Sequence, residues 1–381
     1  MQHGVDEDVV IPSPARTKHP STGMIASPRL RAFGVLLGMT LGLTIATAVG
    51  AQQPTSGTPA ASERSRIQPP FRLSVRADND AFNFWQPIVK RADREYTNGD
   101  LVIVELSSAP WWGRRFAGRR AACNGLEKEG QRCLMTALYL GQDMYTPRPD
   151  HEPRVVPDWR DERPYAAWLY AGAEARVIDE RRLRTVSLAL GMTGPPAQGE
   201  FAQRTAHKLT GVYSRDPVGW DTQIGFEPGI VVSARDTWRF AARTTSGSAY
   251  ADFTPAVGAS FGNILTAAET GFQVRLGSHL SNTWWTSEWR TRTRFEMYAL
   301  GGLRGLAVAR NITLDGNTLG ADRSVDRVPW VGEYMLGVGA RIHDIVAEWR
   351  AVTRSREYRT GQPGHAYSTI YASYELPVRH R

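Results

Sequence analysis

Phe71-Arg72-Leu73-Ser74-Val75-Arg76-Ala77-Asp78 decides the fold. Apolar and polar residues alternate along it without a break, the period-two signature of a strand with one apolar and one polar face. Comparable segments recur near 71–80, 95–108, 134–146, 166–178, 182–193, 221–241, 250–261, 264–277, 294–311, 332–342, 345–358 and 366–377. The links between them fall into two groups. Residues 178–181 and 342–344 make tight turns, whereas 81–94, 147–164, 194–220, 312–329 and 359–365 are longer. An even strand count with short turns at one end and long loops at the other predicts an all-β fold, an antiparallel transmembrane β-barrel of about twelve strands. Aromatic residues near expected strand ends, among them Trp111, Trp112, Trp168, Trp220, Trp238, Trp284, Trp285 and Trp330, suit girdles at the two membrane interfaces.

The start of the chain supports export. Arg29 and Arg31 precede the apolar run 33–46, and small residues follow up to Ala51, the three parts of a secretory signal. Read from Met24 the signal has ordinary length, so residues 1–23 read as an extension. The expected organisation is 1–51 extension and signal, 52–69 a leader rich in Pro, Ser, Thr and Gly, and 70–381 the barrel. After Ala51 no apolar run is long enough for a transmembrane helix. The formal net charge is +8. Export excludes nucleic acid as the partner, and the phosphates of anionic lipid or lipopolysaccharide fit a basic exported surface better. The two cysteines, Cys123 and Cys133, lie ten apart in an oxidising compartment, so a structural disulfide is expected.

One helix is expected. In Gly194-Pro195-Pro196 through Gly211 the prolines mark an entry and the glycine an exit. Glu200, Gln203 and His207 fall on one stripe, with Arg204 and Lys208 beside it. If the first strand runs outward, the polar clusters at Asp78-Asn79-Asp80, 95–99, 141–147 and 161–165 and the helix all reach the extracellular rim. Asn79 has the parity of Leu73 and Val75, and Thr97 that of Leu101 and Ile103, so both are expected on the lipid-facing side. A polar pair there suits an enzyme acting on an outer-leaflet lipid. Glu105 and Glu269, within strands, are expected in the lumen.

Asn79-Asp80, Glu95-Tyr96-Thr97-Asn98-Gly99, Tyr145-Thr146-Pro147, Asp161 to Ala166, Thr193-Gly194-Pro195, Gln203-x3-His207 and Gly219-Trp220-Asp221-x-Gln223 together resemble the outer-membrane lipid A 3'-O-deacylase family. The likeness spans roughly 70 to 377. It implies a monomeric, membrane-embedded barrel that uses calcium to remove the 3'-linked acyl groups of lipid A, at a site between the wall and a loop helix. Carried over motif by motif, the catalytic positions are Asn79, Thr97, Gln203 and His207. Asp80 and Asp216 are the expected metal ligands, with Glu227 competing for the second place. A basic residue expected near the site is Arg148 or Arg163. A hard cation prefers oxygen donors, and His207 would take a proton from water as general base.

Two other readings compete. His279-Leu280-Ser281-Asn282 resembles the motif of serine-type outer-membrane phospholipase A, although Thr283 replaces its usual glycine and parity puts it at the periplasmic end. A porin-like barrel would leave the rim residues merely solvated. His151, His343, His365 and His380 read as surface histidines of loops or termini.

Overall fold

In the computed structural model, residues 71–83, 95–106, 109–117, 120–123, 128, 130–147, 161–210, 219–284, 295–318, 320 and 323–376 are described. The signal and leader, Arg148 and Asp216 lie outside them. Twelve strands form one closed antiparallel ring: β1 Phe71–Asn79, β2 Glu95–Leu106, β3 Cys133–Thr146, β4 Ala166–Ile178, β5 Arg182–Thr193, β6 Pro228–Trp238 continued by Phe240–Arg243, β7 Ala249–Gly262, β8 Leu265–Ser278, β9 Phe295–Asn311, β10 Trp330–Ile342, β11 Ile345–Ser355 and β12 Gly364–Leu376. The seam is closed by β1 on β12, from Phe71 opposite Leu376 to Asn79 opposite Ser368.

The sixth strand starts later than the alternation suggests. Residues 219–227 are spent on a short turn, Trp220–Thr222, whose Trp220 is buried against the wall. That strand is also broken at Arg239, whose N–H donates to the Arg181 carbonyl while its side chain pairs with Asp252 at 2.9 Å. The tight turn 179–181 is closed by Asp179, whose Oδ1 accepts the N–H groups of Arg181 and Arg182. The division of links by length holds at the helix-bearing rim with one exception, the short link between β7 and β8. At the other end two links are long, 279–294 from β8 to β9 and that from β2 to β3, which carries the helix Trp111–Ala117 and Cys123, bonded to Cys133.

Side chains sort by parity. On β10, Trp330, Tyr334, Leu336, Val338 and Ile342 are exposed, while Val331, Glu333 and Arg341 between them are buried. Lipid takes the first set, and the second must find partners inside. Arg72 reaches Glu375 at 3.0 Å and Glu105 at 3.5 Å, Arg176 joins Glu105 at 2.6 Å, and Arg304 bridges Glu269 and Glu333. Glu105 and Glu269 thus face the lumen. At each end of the lumen a described segment reaches in and bonds to the strands or turns around it. At the end opposite the loop helix, Asn282 donates to the Glu180 carbonyl at 2.7 Å and Trp284 to that of Asp179, while Arg72 reaches the Thr283 carbonyl. Ser281 is buried in this plug, its N–H donating to Glu296, with Leu280 and Asn282 buried beside it, whereas His279 is exposed, so the His-x-Ser-Asn segment lies at the end away from the loop helix with its serine and histidine in different surroundings.

At the helix-bearing mouth the centre is Arg163, fully buried. Its Nη1 donates to Glu95 at 3.1 Å and to Glu357 at 3.2 Å, its Nη2 to Thr313, and its guanidinium lies 4.4 Å from the Tyr145 ring centre. Tyr358 donates to Glu95 and Glu162. Glu95 has φ 59, a left-handed conformation that costs a non-glycine about 1–2 kcal/mol and persists because these bonds fix it. His365 is a strand residue, buried beside Tyr367, and not a surface histidine. Of the aromatics assigned to girdles, Trp330 is exposed at the start of β10 and Trp111 is exposed on the helix of the β2–β3 link, but Trp168 and Trp220 are buried.

Burial alone would raise Glu357, yet Arg354 and Arg163 hold it below the usual carboxylate range. Its stabilising contribution is therefore complete above about pH 4.5 and is lost as pH falls through the lower, folded value. Replacing Arg163 by Met strands two buried carboxylates, a loss of about 3–5 kcal/mol. The variant should unfold at a clearly lower temperature on heat-modifiability gels, and its deficit should shrink at pH 3–4. A pH-independent deficit would point to lost packing alone.

Candidate active site on the outer wall

The site grows from cross-strand register. Ser368 stands opposite Asn79, Asn79 opposite Asn98, Asn98 opposite Met144, and Met144 opposite Ala167. Directly opposed residues share a face. These five form a row across β12, β1, β2, β3 and β4 at the rim, on the outward face, because their neighbours Asp78 and Thr369 bond to each other inside. Three of the five are polar.

Thr97 does not share a face with Leu101 and Ile103. Leu101 and Ile103 oppose Arg76 and Ser74, so they belong to the inner face. Thr97 nevertheless points outward, because a bulge between Tyr96 and Asn98 inserts it as an extra residue and resets the alternation. Tyr96 goes inward, donating to Asp78 at 2.8 Å. Thr97 and Asn98 both go outward, and the Thr97 hydroxyl shares a 2.6 Å hydrogen bond with that of Thr146. Asn79 donates to Asn98 at 3.1 Å through Nδ2.

Each end of the row is covered. At the β12 end the chain turns sharply after β1. The Asn79 Oδ1 accepts the Ala81 N–H at 2.8 Å and caps the turn Asp80–Phe82, which buries Asp80. Asn83 then lies on β12, donating to the Ala366 carbonyl at 2.7 Å and accepting from Ser368 at 2.9 Å. At the β4 end lies the helix Gly199–Thr210, introduced by the turn Pro195–Ala197. Met144 and Ala167 of the row pack with Ala197 and Trp220. Gln142 of β3 donates to the Ala197 carbonyl at 2.6 Å, and Trp220 donates to Gln203 at 2.7 Å. Gly199 is required by close approach: a Cβ there would meet the Trp220 ring at 2.4 Å and the Ala167 Cβ at 2.7 Å.

The helix therefore presents its Gln203 side to the wall. His207, one turn on, continues that side and is half-buried. Glu200 belongs to the flank, paired with Arg204 at 2.9 Å, and Lys208 is exposed. Arg163 is committed to the mouth and cannot reach a lipid phosphate. Glu227 is spent too: its carboxylate accepts from the Thr318 N–H and hydroxyl, each at 2.6 Å, and from Asn263. Burial would raise it, but those bonds and Arg310 hold it below the ordinary range. Among the described residues no group of three His, Cys, Asp or Glu surrounds a common centre. Along the wall next to the turn that holds Asp80, Asn79, Asn98, Thr97 and Thr146 supply oxygen donors, a chemistry suited to a hard dication and not to a thiophilic metal. Asn83, Asn98, Thr146 and Ser368 had no assigned role in the sequence. Only register and the bulge bring them to the row.

The family described as "Outer membrane protein LpxR" matches residues 39–376. The chain belongs to the LpxR family. No curated protein matches the sequence. Among solved structures, LpxR from Salmonella typhimurium superposes with TM-score 0.62 at 21% identity, covering 80% of this chain and 99% of that one. The β-domain of the Bordetella autotransporter BrkA gives TM-score 0.37 at 10% identity over 81% of this chain and 99% of its own. This LpxR-family barrel is an outer-membrane protein of a Gram-negative cell.

Gln203→Leu removes the acceptor of a buried indole N–H, at a cost of about 1–3 kcal/mol. Hydrogen exchange should quicken in residues 199–210 while the strands stay protected. Unchanged exchange there would show that apolar packing alone seats the helix.

Proposed function

We propose that this protein is a calcium-dependent lipid A 3'-O-deacylase. The observation that carries the reading is the polar row on a lipid-facing wall, covered at one end by the helix that bears His207. The family membership supports a role in lipid A deacylation. In the reaction, the oxygen of a water attacks the acyl carbonyl carbon, the ester C–O bond breaks, and a fatty acid and the freed 3'-hydroxyl result.

His207 is the general base and takes the proton from the attacking water at an imidazole nitrogen. Gln203 fixes the side of the helix that faces the wall by accepting the Trp220 N–H. Asn79 uses one amide hydrogen on Asn98 and has a second for the developing oxyanion. Its Oδ1 holds the turn that positions Asp80. Thr97 and Thr146 line the wall beside it. Asp80, with a second acid for which Asp216 is the candidate, would hold calcium. When bound, the ion supplies polarisation of the ester carbonyl.

The test is mass spectrometry of lipid A from vesicles carrying the purified barrel. Wild type should release the 3'-linked chains, and His207→Ala should lose about 10²–10⁴ in rate while remaining heat-modifiable. Ser281→Ala should leave the rate unchanged. A chelator should stop turnover and added calcium restore it, with Asp80→Asn demanding more calcium, since a neutral amide attracts the ion less. Turnover within a few-fold of wild type in His207→Ala would remove the histidine from the mechanism.

A further inference from the structure

A second feature of the outer wall lies around the rim from the helix. Between β8 and β12 the lipid-facing surface is hollowed into a groove of about 690 Å³. Phe272, Leu303 and Tyr334, exposed and opposed in register, form its lower side, and Gly305, Gly332 and Ser355 its floor towards the rim. The two floor glycines are not demanded by the backbone, since neither has positive φ. Nor does a neighbour occupy the missing side chain's place: a Cβ on Gly305 meets nothing within 4 Å, and one on Gly332 only Ser355 Oγ at 4.0 Å. Gly141 and Gly339 differ, being filled by the rings of Tyr170 and Tyr298. What glycine provides at 305 and 332 is the hollow itself.

Directly above, where β11 leaves the groove at Ser355, the chain continues as Arg356, and a smaller hollow of about 370 Å³ is lined by Arg327, Val328, Pro329, Arg356 and Arg359. Arg327 is committed to Asp315 and to the Val308 and Ala309 carbonyls. Arg356 and Arg359 are exposed, their one mutual contact being a 3.3 Å bond from the Arg356 guanidinium to the Arg359 carbonyl. Among the described residues no carboxylate forms an ion pair with either, and Glu357 between them turns inward to Arg163. Two available cations at headgroup height thus stand over an apolar slot that continues into the bilayer.

We propose that the groove and this arginine pair form a second lipid site, which takes one acyl chain of a phosphorylated outer-leaflet glycolipid in the slot and its phosphate on Arg356 and Arg359. Charge selects the headgroup, and the glycine floor admits the chain. This inference rests on the membrane location and is independent of the deacylase reading.

Native mass spectrometry of the intact barrel in detergent tests it, using an ether-linked, bis-phosphorylated lipid A analogue that no esterase cleaves and its dephosphorylated counterpart. The double variant R356Q/R359Q should weaken retention of the phosphorylated probe on the order of tenfold and leave the other unchanged. Gly305→Leu with Gly332→Leu, which the open space accommodates, should weaken both probes. Heat-modifiable mobility confirms folding in each case. If both variants retain the phosphorylated probe as wild type does, or if its loss follows Gln203→Leu instead, the second site does not exist.

Discussion

Hydrocarbon offers a peptide group no hydrogen-bond partner, so a chain that crosses a bilayer as strands must leave no edge unpaired. In this barrel that requirement is met at the seam, where β1 and β12 pair from Phe71–Leu376 to Asn79–Ser368. It is also met at β6, whose interruption at Arg239 is bridged because β7 pairs with both of its parts. Once the ring is closed, register is fixed, and register assigns every side chain to lipid or lumen. The same seam sets Ser368 beside Asn79, so the pairing that closes the barrel also assembles one end of the candidate site.

Charge is confined inside by the same logic. A guanidinium or carboxylate in the lumen is tolerable only when compensated, and the arginines there are shared among acids of neighbouring strands. The plugs at both ends complete this compensation, with Arg163 held between Glu95 and Glu357 at one mouth. The polar row lies instead on the outer face of the wall.

Placing polar side chains on that face is costly, and local structure offsets the cost. The bulge at Thr97 turns two successive residues outward, and Thr97 bonds to Thr146 while Asn98 bonds to Asn79. Asn83 covers Ser368, and Trp220 with Ala197 covers Met144 and Ala167. The resulting surface is polar, partly sheltered and open to the bilayer between its covers.

The sequence by itself determined the class of fold and the neighbourhood of the site. Alternation is a property of successive residues, so Phe71 to Asp78 and its successors could be read as strands, and the prolines and Gly211 could bound a helix, without knowledge of any partner. Tertiary structure decided what depends on residues far apart in the chain. Arg163 reads in the sequence as a candidate basic residue of the site, but Glu95 and Glu357 close on it. Trp220 looked like a girdle residue until Gln203 and Met144 buried it. His365 looked like a loop residue until β12 carried it inward. Thr97 was assigned to the outer face on a parity that the bulge overturns, although it does face outward. A bulge exists only in the pairing of two strands, and so does the row from Ser368 to Ala167. Neither leaves a period in the sequence of one strand, because both are set by hydrogen bonds between strands.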